Sequence, residues 1–307
     1  MELNKIYIGN NIEILKTFPD ESINCCITSP PYYGLRDYGT GTWVGGDPSC
    51  PHKRITHRSD NCGTGHAQPE LQGNVAGDIY KKVCPKCGAV RKDNQVGLEE
   101  TPEEYVSRLV SIFNEVKRVL TKDGTLWINI GDSYSYINEG GLKKKDMIGI
   151  PWMLALALRK DGWYLRQDII WHKPNPMPEP VEDRCTRAHE YIFLLSKSPY
   201  YYFDFEANRE QTVDNKLYES RTRRDVWSIP VSTFKDAHFA TYPETLVSNC
   251  LLVGCPKDGV VLDPFMGSGT TGVVAKRENR NYVGIELNPK YAEMANKRLS
   301  TISKKLF

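Results

Sequence analysis

Short apolar runs alternate with amphipathic stretches along most of this chain. "KIYIGN" and "INCCITS" read as strands flanking a short helix at 11–17, and the next helix starts at Thr101. There Thr101 can cap, Pro102 suits the first helical position and Glu104 completes a capping box. Val106, Leu109, Val110, Phe113, Val116, Val119 and Leu120 then recur at helical spacing, which gives the helix one apolar face to pack on a sheet. Beyond a break at Asp123-Gly124 the order is strand "TLWINIG", helix "PWMLALALRK" and strands "YLRQDIIWHK" and "EYIFLLSK". A helix over 243–253, strand "GVVLDPF", a helix from Thr270, strand "NYVGIEL" and a last helix from Pro289 complete the series. This alternation predicts an α/β fold with a doubly wound, mostly parallel, Rossmann-like sheet.

Two stretches do not fit the pattern. Residues 40–98 are rich in Gly, Asp, His and Cys, and residues 205–240 are polar and include "ESRTRRDVW". Loops of this length inside a compact domain are usually functional or carry a small fold of their own, so both are candidate binding surfaces. A chain of this length and apolar content can bury one large core or two modest ones, and 1–307 is expected to form one large domain with insertions. Forty basic against 38 acidic residues leave a net charge of +2, so any nucleic-acid contact must come from local patches. No stretch is apolar for the length of a membrane span, and "MELNKIYIGN" lacks a signal-peptide core, so a cytoplasmic protein is expected. The nine cysteines then read as reduced thiols or metal ligands.

Chemistry concentrates at two strand ends. In "TSPPYYGLRDYG" (28–39), Pro30 and Pro31 stop the strand over 23–27, and strand ends of this kind are where open α/β sheets keep their ligands. Alone, the segment also reads as a plain strand-ending turn. In "VVLDPFMGSGTTG" (260–272), Gly267, Gly269 and Gly272 follow a strand and open a helix, so bare backbone can approach a ligand. Glu286 ends the next strand, where an acid is placed for ribose hydroxyls. Taken literally this is a dinucleotide fingerprint, and an NAD-dependent oxidoreductase is one reading. A glycine turn with no ligand is another. However, Asp263, Pro264, Phe265 and Met266 intervene between strand and first glycine, and no hydride-transfer constellation is visible, which favours a different nucleoside cofactor.

"TSPPYYGLRDYG", "LDPFMGSGTT", "YVGIELNP" and "KPNPMPEPVEDRCTRAHEYIFLLSKS" together resemble S-adenosylmethionine-dependent DNA amino-methyltransferases of the permuted beta group, the N4-cytosine and N6-adenine family. The likeness covers nearly the whole chain outside the two misfit stretches. It implies a circularly permuted sheet in which "KIYIGN" lies beyond the Glu286 strand, bringing the chain ends together. It also implies cofactor contacts from Asn10, Thr28, Asp263, Pro264, Phe265, Gly267, Gly269, Thr270, Thr271 and Glu286, with Phe239 and Pro243 bordering the methionine end. Asn10 stands where family members often have an acid, although an amide can still bond an adenine edge.

For catalysis the resemblance implies that the Ser29 side chain and the Pro30 carbonyl accept the two hydrogens of an exocyclic amino group. Pro31 stiffens the clamp, and Tyr32 offers a flat face to a base flipped out of the duplex. Serine at the first clamp position accompanies cytosine targets more often in that family, which favours N4-methylcytosine over N6-methyladenine. Residues 205–240 would be the target-recognition segment, with Arg221, Arg223 and Arg224 available for phosphate or guanine edges. A solvated charged loop is the plainer reading of those arginines. Arg187 and His189 fall in a loop expected near the target base.

Within 40–98, Cys84 and Cys87 have the two-residue gap that lets two thiolates share a tetrahedral metal, and Gly88 suits the turn that follows. Cys50 and His52 form an irregular first pair, and a set similar to that of relatives with such an insertion would be a closed, structural zinc site. A loop with free thiols is the alternative, and Cys62, His57 and His66 are spare ligands. The implied partner is double-stranded DNA, with a cognate restriction endonuclease and a second copy of the chain as further candidates. An inactive zinc-bearing DNA-binding module is the remaining alternative.

Overall fold

The computed structural model describes residues 1–35, 37–52, 82–135, 138, 142–211, 220–231 and 242–302, with the backbone alone at 55–56 and 78–79. The chain opens with β1 (Lys5–Ile8), α1 (Asn11–Leu15) and β2 (Ile23–Thr28). Four short strands follow, β3 (Thr42–Val44), β4 (Ile55–Thr56), β5 (Asp78–Ile79) and β6 (Val90–Lys92). Next come α2 (Pro102–Val119), β7 (Leu120–Ile130), α3 (Ile150–Lys160), β8 (Tyr164–His172) and β9 (His189–Ser196). After β10 (Arg209–Gln211), β11 (Ser220–Thr222) and β12 (Val226–Ser228), the chain closes with α4 (Glu244–Gly254), β13 (Val260–Asp263), α5 (Thr270–Arg277), β14 (Asn281–Glu286) and α6 (Pro289–Ser300).

Eight strands form the main sheet in the order β1-β14-β13-β2-β7-β9-β8-β12. From β1 to β7 every pairing is parallel, whereas β9 runs antiparallel to both β7 and β8. The two terminal regions meet, since Lys5 to Ile8 register against Val283 to Glu286. Helices cover both faces: α1, α2 and α3 share one core with Leu126, Ile128 and Ile130, while α4, α5 and α6 share the other with Trp127. This explains why β2 is apolar on consecutive residues, with Cys26 in one core and Cys25 and Ile27 in the other.

Three local differences from the sequence pattern have physical causes. The Asp123-Gly124 break lies inside β7, where the register against β2 slips between the Ile23–Leu120 and Cys25–Thr125 pairs, so the residues form an irregularity in a strand and not its start. Thr101 does cap α2, accepting from the Glu104 amide at 3.2 Å, but the Glu104 carboxylate reaches one residue further back and accepts from the Glu100 amide at 3.2 Å. Part of the polar stretch 205–240 belongs to the main sheet, because β12 pairs with β8 and forms the sheet's edge.

Candidate active site

Strand direction decides which residues meet. At the carboxyl edge of the parallel strands, the β14, β13, β2 and β7 ends bring Glu286, Pro264-Phe265, Ser29 and Asn129 side by side in that order. Because β9 is antiparallel, its beginning lies at this same edge and delivers Glu190, and β8 ends there with Lys173 following. All of these residues line one cavity of about 360 Å³, within the range of small-ligand sites.

The glycine segment is braced by a buried carboxylate. Asp263 Oδ1 accepts from the Thr28 hydroxyl at 2.7 Å and the Phe265 amide at 3.0 Å, and Oδ2 accepts from Thr271 at 2.6 Å and Tyr242 at 3.0 Å. Burial raises the Asp263 pKa, and these four donors oppose the shift. Thr28, Asp263 and Thr271 are thus enclosed behind the cavity wall, while Asn10, Pro264, Phe265, Gly267, Thr270 and Glu286 line it. The three glycines divide similarly. A Cβ on Gly269 would meet the Ala295 Cβ at 2.8 Å and one on Gly272 would meet the Met266 Cε at 2.6 Å, so these two permit helix packing. Gly267 faces the cavity with a φ of 52°, and its amide donates to Glu286 Oε2 at 2.7 Å. Pro243 caps α4 at its start and its neighbour Tyr242 reaches the cavity, while Phe239 lies outside the described residues.

Glu286 also accepts from the Asn288 amide at 2.8 Å, and burial raises its pKa against the pull of these two amides. The cavity at this end therefore offers a part-buried carboxylate for paired hydroxyls, the Phe265 ring, and the Asn10 residue that caps α1 through the Glu13 amide. That donor set fits the adenosine part of S-adenosylmethionine. Gly267 leaves the bare backbone that its sulfonium and amino-acid parts would pass.

At the other end stands the clamp. Ser29, Pro30, Pro31 and Tyr32 all line the cavity. Tyr105 donates to the Pro31 carbonyl at 2.8 Å, fixing the segment on α2. The Tyr32 hydroxyl lies 2.6 Å from Glu190 Oε2 and 3.3 Å from Asn129 Oδ1. Asn129 Nδ2 donates to the same Glu190 oxygen at 3.0 Å, and Lys173 pairs with the other. Burial, followed by the Glu190 charge, pushes the Tyr32 phenol well above its ordinary value. Lys173 also sits 4.6 Å over the Trp171 ring. Asn129, Glu190, Lys173 and Tyr242 are residues that sequence reading did not select, although Lys173 and Glu190 lie within "KPNPMPEPVEDRCTRAHEYIFLLSKS".

The cysteine segment is also tied to this cavity. Cys50, His52, Cys84 and Cys87 bring their ligand atoms within 4.8 Å of one another, and Trp43 stacks on His52 at 4.3 Å. The Ala89 amide, followed by other backbone and thiol contacts, lowers the Cys87 pKa to about 6, as a metal-binding thiol requires. From this knuckle β6 carries Arg91, which pairs with Asp37 and, at 2.6 Å, with Asp93. Asp37 is buried within the clamp segment, whose Tyr38 lines the cavity and donates its amide to Gln95 at 2.7 Å. Cys62, His57 and His66 lie outside the described residues.

The three arginines do not share one environment. Arg221 and Arg224 are exposed and flank Glu210 at 2.8 and 3.5 Å, whereas Arg223 is half-buried, 5.7 Å over the Trp227 ring. Arg187 and His189 lie near the β9 entry, and burial followed by the Arg187 and Lys173 charges lowers the His189 pKa.

A mixed α/β sheet whose carboxyl edge joins a glycine turn, a terminal acid and a Ser-Pro-Pro-Tyr clamp in one cavity defines a transferase built around a nucleoside cofactor. The DNA methylase family model matches residues 23–297, and the chain belongs to this family of N6 and N4 methylases. It is an S-adenosylmethionine-dependent DNA amino-methyltransferase. It is 42% identical to the Type II methyltransferase M.Cfr9I of Citrobacter freundii, over 97% of this chain and 89% of that protein. Against M.SmaI of Serratia marcescens identity is 40%, over 96% and 90%. The fold is similar to that of the PvuII DNA methyltransferase (cytosine-N4-specific), with a TM-score of 0.66 and 21% identity over 99% of this chain and 89% of that one. A Thermus thermophilus DNA modification methylase in complex with S-adenosyl-L-methionine matches with a TM-score of 0.61 and 24% identity, over 96% and 93%. Among the described residues no helix is long and apolar enough to cross a membrane.

Proposed function

We propose that this enzyme methylates the exocyclic N4 amino group of a cytosine flipped out of a specific double-stranded DNA sequence. The observation that carries this reading is that Ser29 to Tyr32 line the same cavity as Phe265, Gly267 and Glu286. Bound S-adenosylmethionine supplies an electrophilic methyl group on a sulfonium. The chain does the rest. An amino group conjugated with a base ring is a poor nucleophile, and the Ser29 hydroxyl and Pro30 carbonyl accept its two hydrogens, favouring the pyramidal nitrogen with an available lone pair. Acceptors fixed before reaction cost no reorganisation when charge develops, which is what the two prolines and the Tyr105 bond to Pro31 provide. Tyr32 stacks on the base, a contact worth about 1 to 3 kcal/mol. The charged product amine then loses its surplus proton readily, so no strong base is required.

Cytosine is favoured by Ser29 at the first clamp position, and the similar fold of the cytosine-N4-specific PvuII methyltransferase agrees with it. A hydroxyl acceptor suits adenine as well, and N6-methyladenine is the second reading. The Type II relatives support a role in modification beside a cognate restriction endonuclease, and a dimer is a further proposal. In this reading residues 1–307 form one methyltransferase domain of permuted order. Residues 40–98 are an inserted zinc-binding subdomain, with Cys50, His52, Cys84 and Cys87 closing a structural site, and residues 205–240 are the target-recognition segment, with Arg221 and Arg224 facing outward.

Replacing Tyr32 by Ala tests the central step. S-adenosylmethionine binding measured by calorimetry is expected to stay near wild type while methyl transfer to DNA falls steeply. Unchanged transfer would overturn the stacking role.

A further inference from the structure

The proposed reaction needs Tyr32 in one orientation, and the surroundings of its ring show how that orientation is set. The phenol cannot donate to both nearby acceptors, and the 2.6 Å contact to Glu190 takes the proton in preference to Asn129 at 3.3 Å. Glu190 is itself held from two sides, by Asn129 Nδ2 at 3.0 Å on the oxygen shared with Tyr32 and by the Lys173 ammonium on the other. Asn129 belongs to β7, Glu190 to β9, and Lys173 directly follows β8, so three neighbouring strands converge on one phenol. Gly131 packs against the ring beside this contact, since a Cβ there would lie 2.8 Å from the Tyr32 Cε2 and 3.4 Å from the Glu190 Cγ.

From this we infer that Glu190 is a positioning residue for methyl transfer: it fixes the Tyr32 ring beside Gly131, and Lys173 and Asn129 fix Glu190. The inference rests on the proposed stacking of the target base on Tyr32. The carboxylate is required because three donors face it from two sides. An amide in its place can present its oxygen either to Tyr32 and Asn129 or to Lys173, and turns an N–H toward a donor on the remaining side. The Lys173 ammonium on the second oxygen leaves the first free for Tyr32 and Asn129, and hydrogen bonds assisted by charge are stronger than neutral ones. A tyrosine serves better than phenylalanine at this position because the ring needs a handle at its far end. The handle prevents rotation of the clamp segment in an emptied pocket before the base arrives.

Tyr32→Phe, Glu190→Gln and the double variant are compared in single-turnover methyl transfer to DNA at saturating S-adenosylmethionine, alongside cofactor affinity and the thermal midpoint. Each single change is expected to slow transfer by about tenfold or more, with cofactor affinity unmoved. The double variant is expected to be no slower than the slower single, because both remove the same restraint. Losses that multiply would overturn the assignment, and so would an unchanged rate in Glu190→Gln. Should Glu190→Gln lose thermal stability, Gly131→Ala provides the second test. It removes no hydrogen-bonding group but displaces the ring, so it should slow the Tyr32 enzyme and add nothing in a Tyr32→Ala background; an equal slowing in both backgrounds would contradict the seat. The wild type in the same assay separates the two levels. An active wild type with multiplying losses overturns only the Glu190 role, and a wild type without transfer overturns the functional reading with it.

Discussion

Thr28 donates its hydroxyl to Oδ1 of Asp263 at 2.7 Å, joining the strand that leads into Ser29-Pro30-Pro31-Tyr32 to the strand that ends in the glycine turn. The bond is buried and spans 235 residues of sequence, so it sets the distance between the two halves of the site. Replacing Thr28 by Val keeps the shape and removes one of the four donors to a buried carboxylate. Urea unfolding should show a loss of about 1 to 3 kcal/mol, accompanied by weaker cofactor binding. Stability and affinity both equal to wild type would refute the brace.

Glu286 supplies a pH signature. Burial raises its pKa above the ordinary glutamate value of 4.5. For folding, an acid with a raised native pKa contributes stability that is complete below 4.5 and is lost as pH rises through the native value. Cofactor binding has the opposite sign, because the ionised carboxylate accepts two hydroxyls and the protonated form does not. S-adenosylmethionine affinity measured by calorimetry should therefore fall as pH drops, beginning above pH 4.5, and Glu286→Gln should bind weakly with little pH dependence. An affinity that rises on acidification would contradict the hydroxyl-binding role.

The arginines of 220–224 should separate by function. Arg224 is 71% exposed, so Arg224→Ala should leave the thermal midpoint unchanged and reduce the slope of log affinity for DNA against log salt by about 1. Arg223 packs against Trp227, and Arg223→Ala should instead lower stability. Anisotropy titrations at several salt concentrations, paired with thermal melts, distinguish the two. A salt slope altered only by Arg223→Ala would reverse the assignment.

The Cys/His knuckle should act on the catalytic cavity through the Arg91 and Asp37 pair. Cys84→Ser is expected to lower both zinc content by mass spectrometry and the thermal midpoint. Arg91→Ala should retain zinc and still weaken activity, because it releases the clamp segment from β6. Zinc absent from wild type and variant alike would dispose of the metal site.

Much of this architecture is legible in the sequence for identifiable reasons. Thr28, Asp263 and Glu286 mark strand ends because proline, glycine or polar punctuation follows an apolar run. Cys84 and Cys87 stand out by spacing alone. Strand direction does not, since an apolar run such as "EYIFLLS" reads the same either way, and only the antiparallel course of β9 brings Glu190 to the carboxyl edge. For the same reason the Tyr32 and Glu190 contact, between residues 158 apart, carries no local signal. The glycines mislead in part: Gly269 and Gly272 sit in a ligand-binding motif but serve helix packing against Ala295 and Met266.

The most direct measurement is to incubate the purified enzyme with unmethylated genomic DNA and isotopically labelled S-adenosylmethionine, digest the DNA to nucleosides and identify the labelled product by mass spectrometry. The expected product is N4-methylcytosine. N6-methyladenine would keep the clamp chemistry and overturn the cytosine reading of Ser29, and no labelled amino-methylated base in any DNA would contradict the proposed function itself.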